Sequence, residues 1–206
     1  AALPLLIRST LWAADLAPSG PPLLSVEEID PSRSQLIEAA MDHEADLVAP
    51  RFARGCRCFA VIVDGGVAGY GWLSIGPEWI GELQLEITPR SGEGYVWNCA
   101  TIPEHRGKGI FRALLVGISE IARQEGVKRL WIGSVAIPGE RAVGQSGFRP
   151  AFHFRTIKFS GLQLMTVRES SHADPDLISS ARDVLGSHET PFRPGTSIRR
   201  LHPRRH

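Results

Sequence analysis

The chain has 206 residues, 43% hydrophobic and 22% charged, which is enough apolar material for one well-buried core or one domain with appendages. Its formal net charge of +1 removes any electrostatic case for nucleic acid as an obligatory partner. Three cysteines, Cys56, Cys58 and Cys99, are too few for a disulfide framework, and Cys56-x-Cys58 lacks the spacing and further ligands of a zinc site, so no metal is expected.

Residues 1–22 end in Pro18-Ser-Gly-Pro-Pro22, a stiff break that sets an N-terminal extension apart from a main domain over 23–160. The opening Ala1-Ala-Leu-Pro-Leu-Leu-Ile7 is interrupted by Arg8 and lacks a basic start, so it makes a poor signal peptide. No apolar run approaches the roughly 20 residues needed to cross a bilayer. These features lead us to expect a cytoplasmic protein with no membrane partner.

Leu23 to Ile29 reads as a first strand, and Asp30 or Ser32 as the cap of a helix over 32–47, with Ser32 and Gln35 in capping-box register. Phe59 to Val63 and Val67 to Ile75 flank Asp64-Gly65-Gly66, a hairpin signal. Ile80 to Thr88 alternates, with Leu83, Leu85 and Ile87 on one face of a strand and Glu82, Gln84 and Glu86 on the other. After the turn Arg90–Gly94, Tyr95 to Thr101 is short, apolar and β-prone. Ile110, Phe111, Leu114, Leu115, Ile118 and Ile121 then form one stripe at helical spacing, which Gly126 stops. Val127 to Val135 is β-rich, and residues 152–159 supply a final strand.

Residues 161–206 change character. Asp174 to Leu185 is a weak helix, and Pro191 to His206 holds three prolines and five arginines (Arg193, Arg199, Arg200, Arg204, Arg205). That composition suits a solvated tail, and equally an arm that binds an anion or closes over a pocket. No repeat of fixed period is present.

The densest information lies in Asn98-Cys-Ala-Thr-Ile-Pro-Glu-His-Arg-Gly-Lys-Gly-Ile110. A strand, a proline, a basic glycine turn and a helix start together make an anion cradle. Main-chain N–H groups at a helix N-terminus lack intrahelical acceptors, and the peptide dipoles there favour negative charge. Gly107 and Gly109 allow close approach and positive φ, while Arg106 and Lys108 add charge. Two standard phosphate loops do not fit: the residue three after Gly109 is Arg112, where a dinucleotide fingerprint needs glycine, and Gly109 is followed by Ile110, where a P-loop needs lysine.

Glu104-His-Arg-Gly-Lys-Gly109 resembles the acyl-CoA-binding motif of the GNAT acetyltransferase superfamily, written Gln/Arg-x-x-Gly-x-Gly/Ala, with Glu104 departing at its first position. Gly139 to Phe148 resembles the family's short helix ending in a Gly-Phe pair, so the likeness runs over 23–160 and is most specific over 95–148. The resemblance implies an α+β fold with a mixed, mostly antiparallel central sheet and helices on both faces. It implies an N-acetyltransferase that takes acetyl-CoA as co-substrate and transfers the acetyl group directly to a primary amine. It places Arg106, Gly107, Lys108, Gly109, Ile110 and Phe111 at the pyrophosphate and Ala100, Thr101 and Ile102 along pantetheine. The Arg106 and Lys108 side chains serve equally well as solvated cations.

The amine is mostly protonated at neutral pH, so a carboxylate or ordered water must take its proton. Glu82 and then Glu86 are the catalytic candidates, although their alternation suits an exposed edge strand equally well. Asn98 reads as a buried strand asparagine that satisfies backbone groups. Cys99, in an apolar strand with no adjacent base, is a poor nucleophile. Many members of the family carry a thiolate-protonating tyrosine where this chain has Val143, which leaves water, Ser146 or an unplaced group for that role. The family's customary asparagine is also absent near Ala136 and Ile137. Trp72, Trp79 and Trp97 are expected near the cleft as core, pocket wall or stacking faces. The resemblance points weakly to a small or carbohydrate-linked amine and leaves a peptide N-terminus and a homodimer open, while a near-neutral chain without acidic clusters disfavours a histone-like basic partner. The rival function is a non-catalytic acyl-CoA-binding sensor or interaction module of the same fold.

Overall fold

The structure, a computed structural model, describes residues 5–18, 24–135, 137–186 and 190–200. In chain order the elements are β1 (Leu5–Asp15), β2 (Val26–Ile29), α1 (Ser34–Met41), α2 (Val48–Ala53), β3 (Arg57–Val63), β4 (Gly66–Ser74), β5 (Glu78–Ile80), β6 (Leu85–Ile87), β7 (Glu93–Thr101), α3 (Ile110–Gln124), β8 (Arg129–Ser134), α4 (Ile137–Gln145), β9 (Arg149–Phe159), β10 (Leu162–Glu169), α5 (Pro175–Leu185) and β11 (Thr196–Arg200). They fall into two compact units. The first holds residues 15–75 and 91–130; the second holds 1–14, 76–90 and 131–206.

In the first unit the strand order is β2-β3-β4-β7, with each pairing antiparallel. The β3–β4 hairpin forms where Asp64-Gly65-Gly66 predicts it. Asp64 and Gly65 both take positive φ (51° and 79°), so the turn matches the twist of the flanking strands. Helices cover both faces. Gly71 leaves room for Cys99 Sγ and for Leu114 and Ile118 of α3, while the neighbouring Trp72 packs against Phe52 of α2. The α1/α2 side encloses Ile29, Ile37, Met41, Val48, Cys58, Ala60, Tyr70 and Trp72. On the other side α3 buries Ile110, Leu114, Leu115 and Ile118, as its apolar stripe requires.

The single helix expected over 32–47 is broken. Asp30 does act as a cap, its carboxylate accepting from the Ser32 N–H (2.7 Å), but it caps a 3-10 turn over Pro31–Arg33. α1 then ends at Asp42, whose φ of 49° no α-helix accommodates, and a second 3-10 stretch leads into α2.

In the second unit the order is β8-β1-β9-β10-β11, with β1–β9, β9–β10 and β10–β11 antiparallel. Leu5–Asp15, which the sequence reading left without an element ahead of the Pro18–Pro22 break, is an 11-residue strand hydrogen-bonded to β9. The weak helix is present as α5, where the Asp174 carboxylate accepts from the Leu177 N–H (2.8 Å) and Pro175 occupies the first turn. The strand over 152–159 is not the final one, since β10 and β11 extend the sheet beyond it, and Arg199 and Arg200 of the expected tail lie in β11, paired with β10. Arg204 and Arg205 fall outside the described residues.

The alternating stretch 80–88 is not one strand. β5 and β6 form a separate two-stranded hairpin whose turn spans 81–84, with Gln84 at a φ of 53°. Leu83, Leu85 and Ile87 are buried as the alternation demands, so the periodicity was correct for burial and misleading for the backbone.

Candidate functional site

Chemistry gathers in the first unit where β7 runs into α3. Ile102 turns the chain out of β7, its N–H held by the Ala68 carbonyl (2.9 Å), and Pro103–His105 forms a single 3-10 turn. Gly107 and Gly109 follow with φ of 75° and 76°, left-handed geometry that an L side chain resists. A Cβ added at either position would meet no heavy atom within 4 Å, so the space beside both glycines is open. Gly109 is the N-cap of α3, and no side chain caps it. The first main-chain bond of the helix runs from Ala113 N–H to the Gly109 carbonyl (3.0 Å), leaving Ile110, Phe111 and Arg112 ahead of the ladder. Positive φ, open space and uncapped amides are what an anion cradle needs.

Two members of the expected set are already engaged. Arg106 donates its N–H to the Pro103 carbonyl (3.2 Å) and its Nε to the Thr101 carbonyl (3.5 Å), so donation to an anion falls to the amides that follow it. Ile102 spends its amide on Ala68, and Thr101 Oγ1 is buried with no hydrogen-bond partner among the described residues. Ala100 and Thr101 pair with Tyr70 and Gly69 of β4.

A bulge lies just upstream. Between the Trp72–Trp97 and Tyr70–Ala100 pairs, β7 carries two residues, Asn98 and Cys99, opposite Gly71 alone. Asn98 takes a φ of 45° and is exposed, which overturns the reading of a buried strand asparagine. Its Oδ1 accepts from Arg51 Nη1 (3.1 Å), and its Nδ2 donates to Glu44 Oε2 (3.3 Å). Arg51 of α2 is buried (7% exposed), with its guanidinium 4.7 Å from the Trp97 ring centroid and 5.3 Å from that of Trp72. It also donates to Glu44 (3.4 Å) and to Met41 Sδ (3.5 Å). Burial pulls the pKa of this guanidinium down, and the Glu44 carboxylate opposes that shift. Trp97 Nε1 donates to Ser74 Oγ (2.9 Å), which fixes the ring beneath the arginine.

Sequence reasoning missed Arg51 and Glu44. Both lie in the broken helical segment, where a lone arginine between Pro50 and Phe52 gives no local sign that it reaches back to β7. Trp72 and Trp97 do come together, with centroids 6.1 Å apart. Trp79 instead stands on β5, 47% exposed, beside a groove of about 480 Å³ that Gln84, Leu85, Glu86, Arg199 and Arg200 also line.

The two carboxylates expected to share one polar strand face do not. Glu82 is exposed in the β5–β6 turn, and Glu86 is exposed on β6 because the chain reverses between them. Burial pushes the Cys99 thiol up to about 12. Val143 is fully buried, and Ser146 Oγ, just past the end of α4, donates to the Ala142 carbonyl (2.8 Å). Ala136 lies outside the described residues.

The sequence pattern of the acetyltransferase (GNAT) family matches residues 24–144. No curated protein matches the chain. Solved structures similar to it include the following three. A GNAT-family acetyltransferase from Colwellia psychrerythraea superposes with a TM-score of 0.54 at 13% identity, over 76% of this chain and 56% of that one. A glucosamine N-acetyltransferase region of a fungal multi-domain β-N-acetylglucosaminidase gives 0.56 at 14% identity, over 75% of this chain and 21% of that one. A GNAT-type N-acetyltransferase from Sphaerobacter thermophilus gives 0.52 at 14% identity, over 80% of this chain and 52% of that one. The chain thus spans about half or less of these proteins' lengths, and at such identities the likeness establishes the fold: α+β, with a mixed, mostly antiparallel sheet.

Proposed function

Because the chain belongs to the GNAT acetyltransferase family, we propose that it moves an acetyl group from acetyl-CoA to a primary amine of a small-molecule or sugar-linked acceptor. The observation that carries this reading is the mouth of α3, where uncapped amides follow two left-handed glycines with open space beside both. The main-chain N–H groups of Gly107, Lys108, Gly109, Ile110 and Phe111 grip the pyrophosphate, with the charges of Arg106 and Lys108 alongside. Ala100, Thr101 and Ile102 line the pantetheine arm. Acetyl-CoA supplies an activated thioester, and the chain's part is to orient it and to manage the proton of the incoming amine.

For that proton, Glu44 joins Glu82 and Glu86 as a candidate acceptor. Its carboxylate, 37% exposed, is tied through Asn98 to the bulge in β7, whereas Glu82 and Glu86 sit on the β5–β6 hairpin. Replacing each by Gln tests all three. The base is the residue whose loss flattens the acidic limb of the pH–rate profile while CoA affinity is unchanged.

A second reading has a specific observation behind it. Val143 has no proton to give a departing thiolate, and the Ser146 hydroxyl is spent on the Ala142 carbonyl. A non-catalytic acyl-CoA-binding module of the same fold would lack such a proton donor. Calorimetric CoA titration, paired with free-thiol release from acetyl-CoA over a panel of amines, separates the two. Binding with release on any amine supports the transferase, and binding without release on every amine supports the module. Absence of CoA binding removes both.

A further inference from the structure

We propose that the second unit docks on an anionic lipid surface through the outer face of its β1-β9-β10-β11 sheet, at the end that carries the β9–β10 turn. Strand register places the relevant side chains in rows, because residues paired across an antiparallel ladder share a face. One row is apolar across four strands: Leu6, Ile157, Leu164 and Ile198. The next row toward the turn is Phe159, Leu162 and Arg200, and the next row the other way begins Arg8, Arg155. Leu6 (45%), Phe159 (48%), Leu162 (46%) and Ile198 (71%) are exposed, and Phe159 and Leu162 flank a tight turn in which Ser160 and Gly161 both have positive φ.

The opposite face is covered. Gln163 Nε2 donates to the Leu83 carbonyl (2.8 Å), Met165 and Val167 are buried, and α5 packs on β9. Farther along the outer face α4 takes over, with Thr10 donating to Glu140 (2.7 Å). The apolar rows lie beyond that contact.

Charge identifies what covers them. By the same register Arg8, Arg155, Arg168 and Arg200 share this face with the apolar rows, and residues 5–10, 150–159, 162–168 and 196–200 contain not one acid, in a chain whose net charge is only +1. Apolar side chains standing out from a flat face, rimmed by arginines, match an interface where acyl chains lie beneath a plane of phosphates. A second copy of the chain stacked on this face would instead bring arginine rims together. This departs from the expectation of no membrane partner. That expectation rested on long apolar runs, and a sheet face built from every second residue leaves none.

Flotation of the full 206-residue chain with vesicles of phosphatidylcholine alone, and of phosphatidylcholine mixed with phosphatidylglycerol, tests the proposal. The expected result is partitioning about tenfold or more stronger on the anionic vesicles and weakened by salt. Ile198→Asp, Phe159→Asp and Arg155→Glu should each lower it about tenfold, with circular dichroism and thermal midpoint close to the parent. The proposal is overturned by absent or equal partitioning on the two vesicle types, or by variants that bind as the parent does. It is also overturned by a concentration-dependent dimer that Ile198→Asp abolishes, which would assign the face to a second copy. Should a variant fail to fold, the anionic-against-neutral comparison on the parent chain decides alone.

Discussion

Gly109 at the mouth of α3 and Gly117 at its middle lack side chains for opposite reasons. At Gly109 nothing crowds the missing Cβ, and the constraint is the backbone, held at a φ of 76°. At Gly117 the backbone is ordinary helix, but a Cβ would stand 2.3 Å from Val26 Cγ2 of β2. The first glycine keeps a surface open for something to enter, and the second lets two elements of the core touch. The contrast shows how one helix is anchored at its centre and left unfinished at its end.

The largest expected effect breaks the open end. Gly109→Val forces a β-branched residue into left-handed geometry and fills the space beside the amides, so CoA affinity should fall about 100-fold, roughly 2.7 kcal/mol. Isothermal titration reads this directly, and unchanged affinity would remove the cradle from the site. At the closed end, Gly117→Ala pits a helix-propensity gain of about 1 kcal/mol against overpacking of about 1–3 kcal/mol. Urea unfolding should show net destabilisation with CoA affinity little changed; a stabilised variant would mean that β2 yields freely.

A smaller effect sharpens the contrast at the bulge. Arg51→Met keeps the packing beneath Trp97 but removes the cation–π contacts and the donors to Asn98 and Glu44. Because those partners reach solvent, the expected loss is about 1 kcal/mol, measured by denaturant midpoint. The smallest effect belongs to the cap of α5. The Leu177 N–H and then Arg149 hold the Asp174 carboxyl below its usual range, so its contribution is fully present above the unfolded-state carboxylate pKa. It is lost as pH falls through the lower folded value. Asp174→Ala should therefore lower the thermal midpoint slightly at neutral pH, with the difference from the parent closing in strong acid. A difference that persists there would mean that the charge is not what matters.

Legibility in the sequence followed the range of the interaction. The Asp64-Gly65 turn, the helix of α3, the short helix α5 and the Gly107/Gly109 turn are decided within a few residues, and all are found where the sequence puts them. The alternation over 80–88 reported burial correctly, yet a turn with Gln84 in left-handed geometry separated Glu82 from Glu86. Local pattern records which side chains are buried, and it is blind to a chain reversal that preserves the alternation. Leu5–Asp15 escaped notice because its strand character depends on β9, far away in sequence.

By itself the sequence determined the family, the helix that opens on two glycines, and the absence of any side chain suited to the usual acid at Val143, since each of these is a matter of local residue order. Tertiary structure alone brought Arg51 and Glu44 to Asn98, and aligned Leu6, Ile157, Leu164 and Ile198 in one row whose ends are exposed. Those groupings depend on strand register and on where a helix breaks. Register and breaks are set by the simultaneous burial of distant segments, which no short stretch of chain encodes.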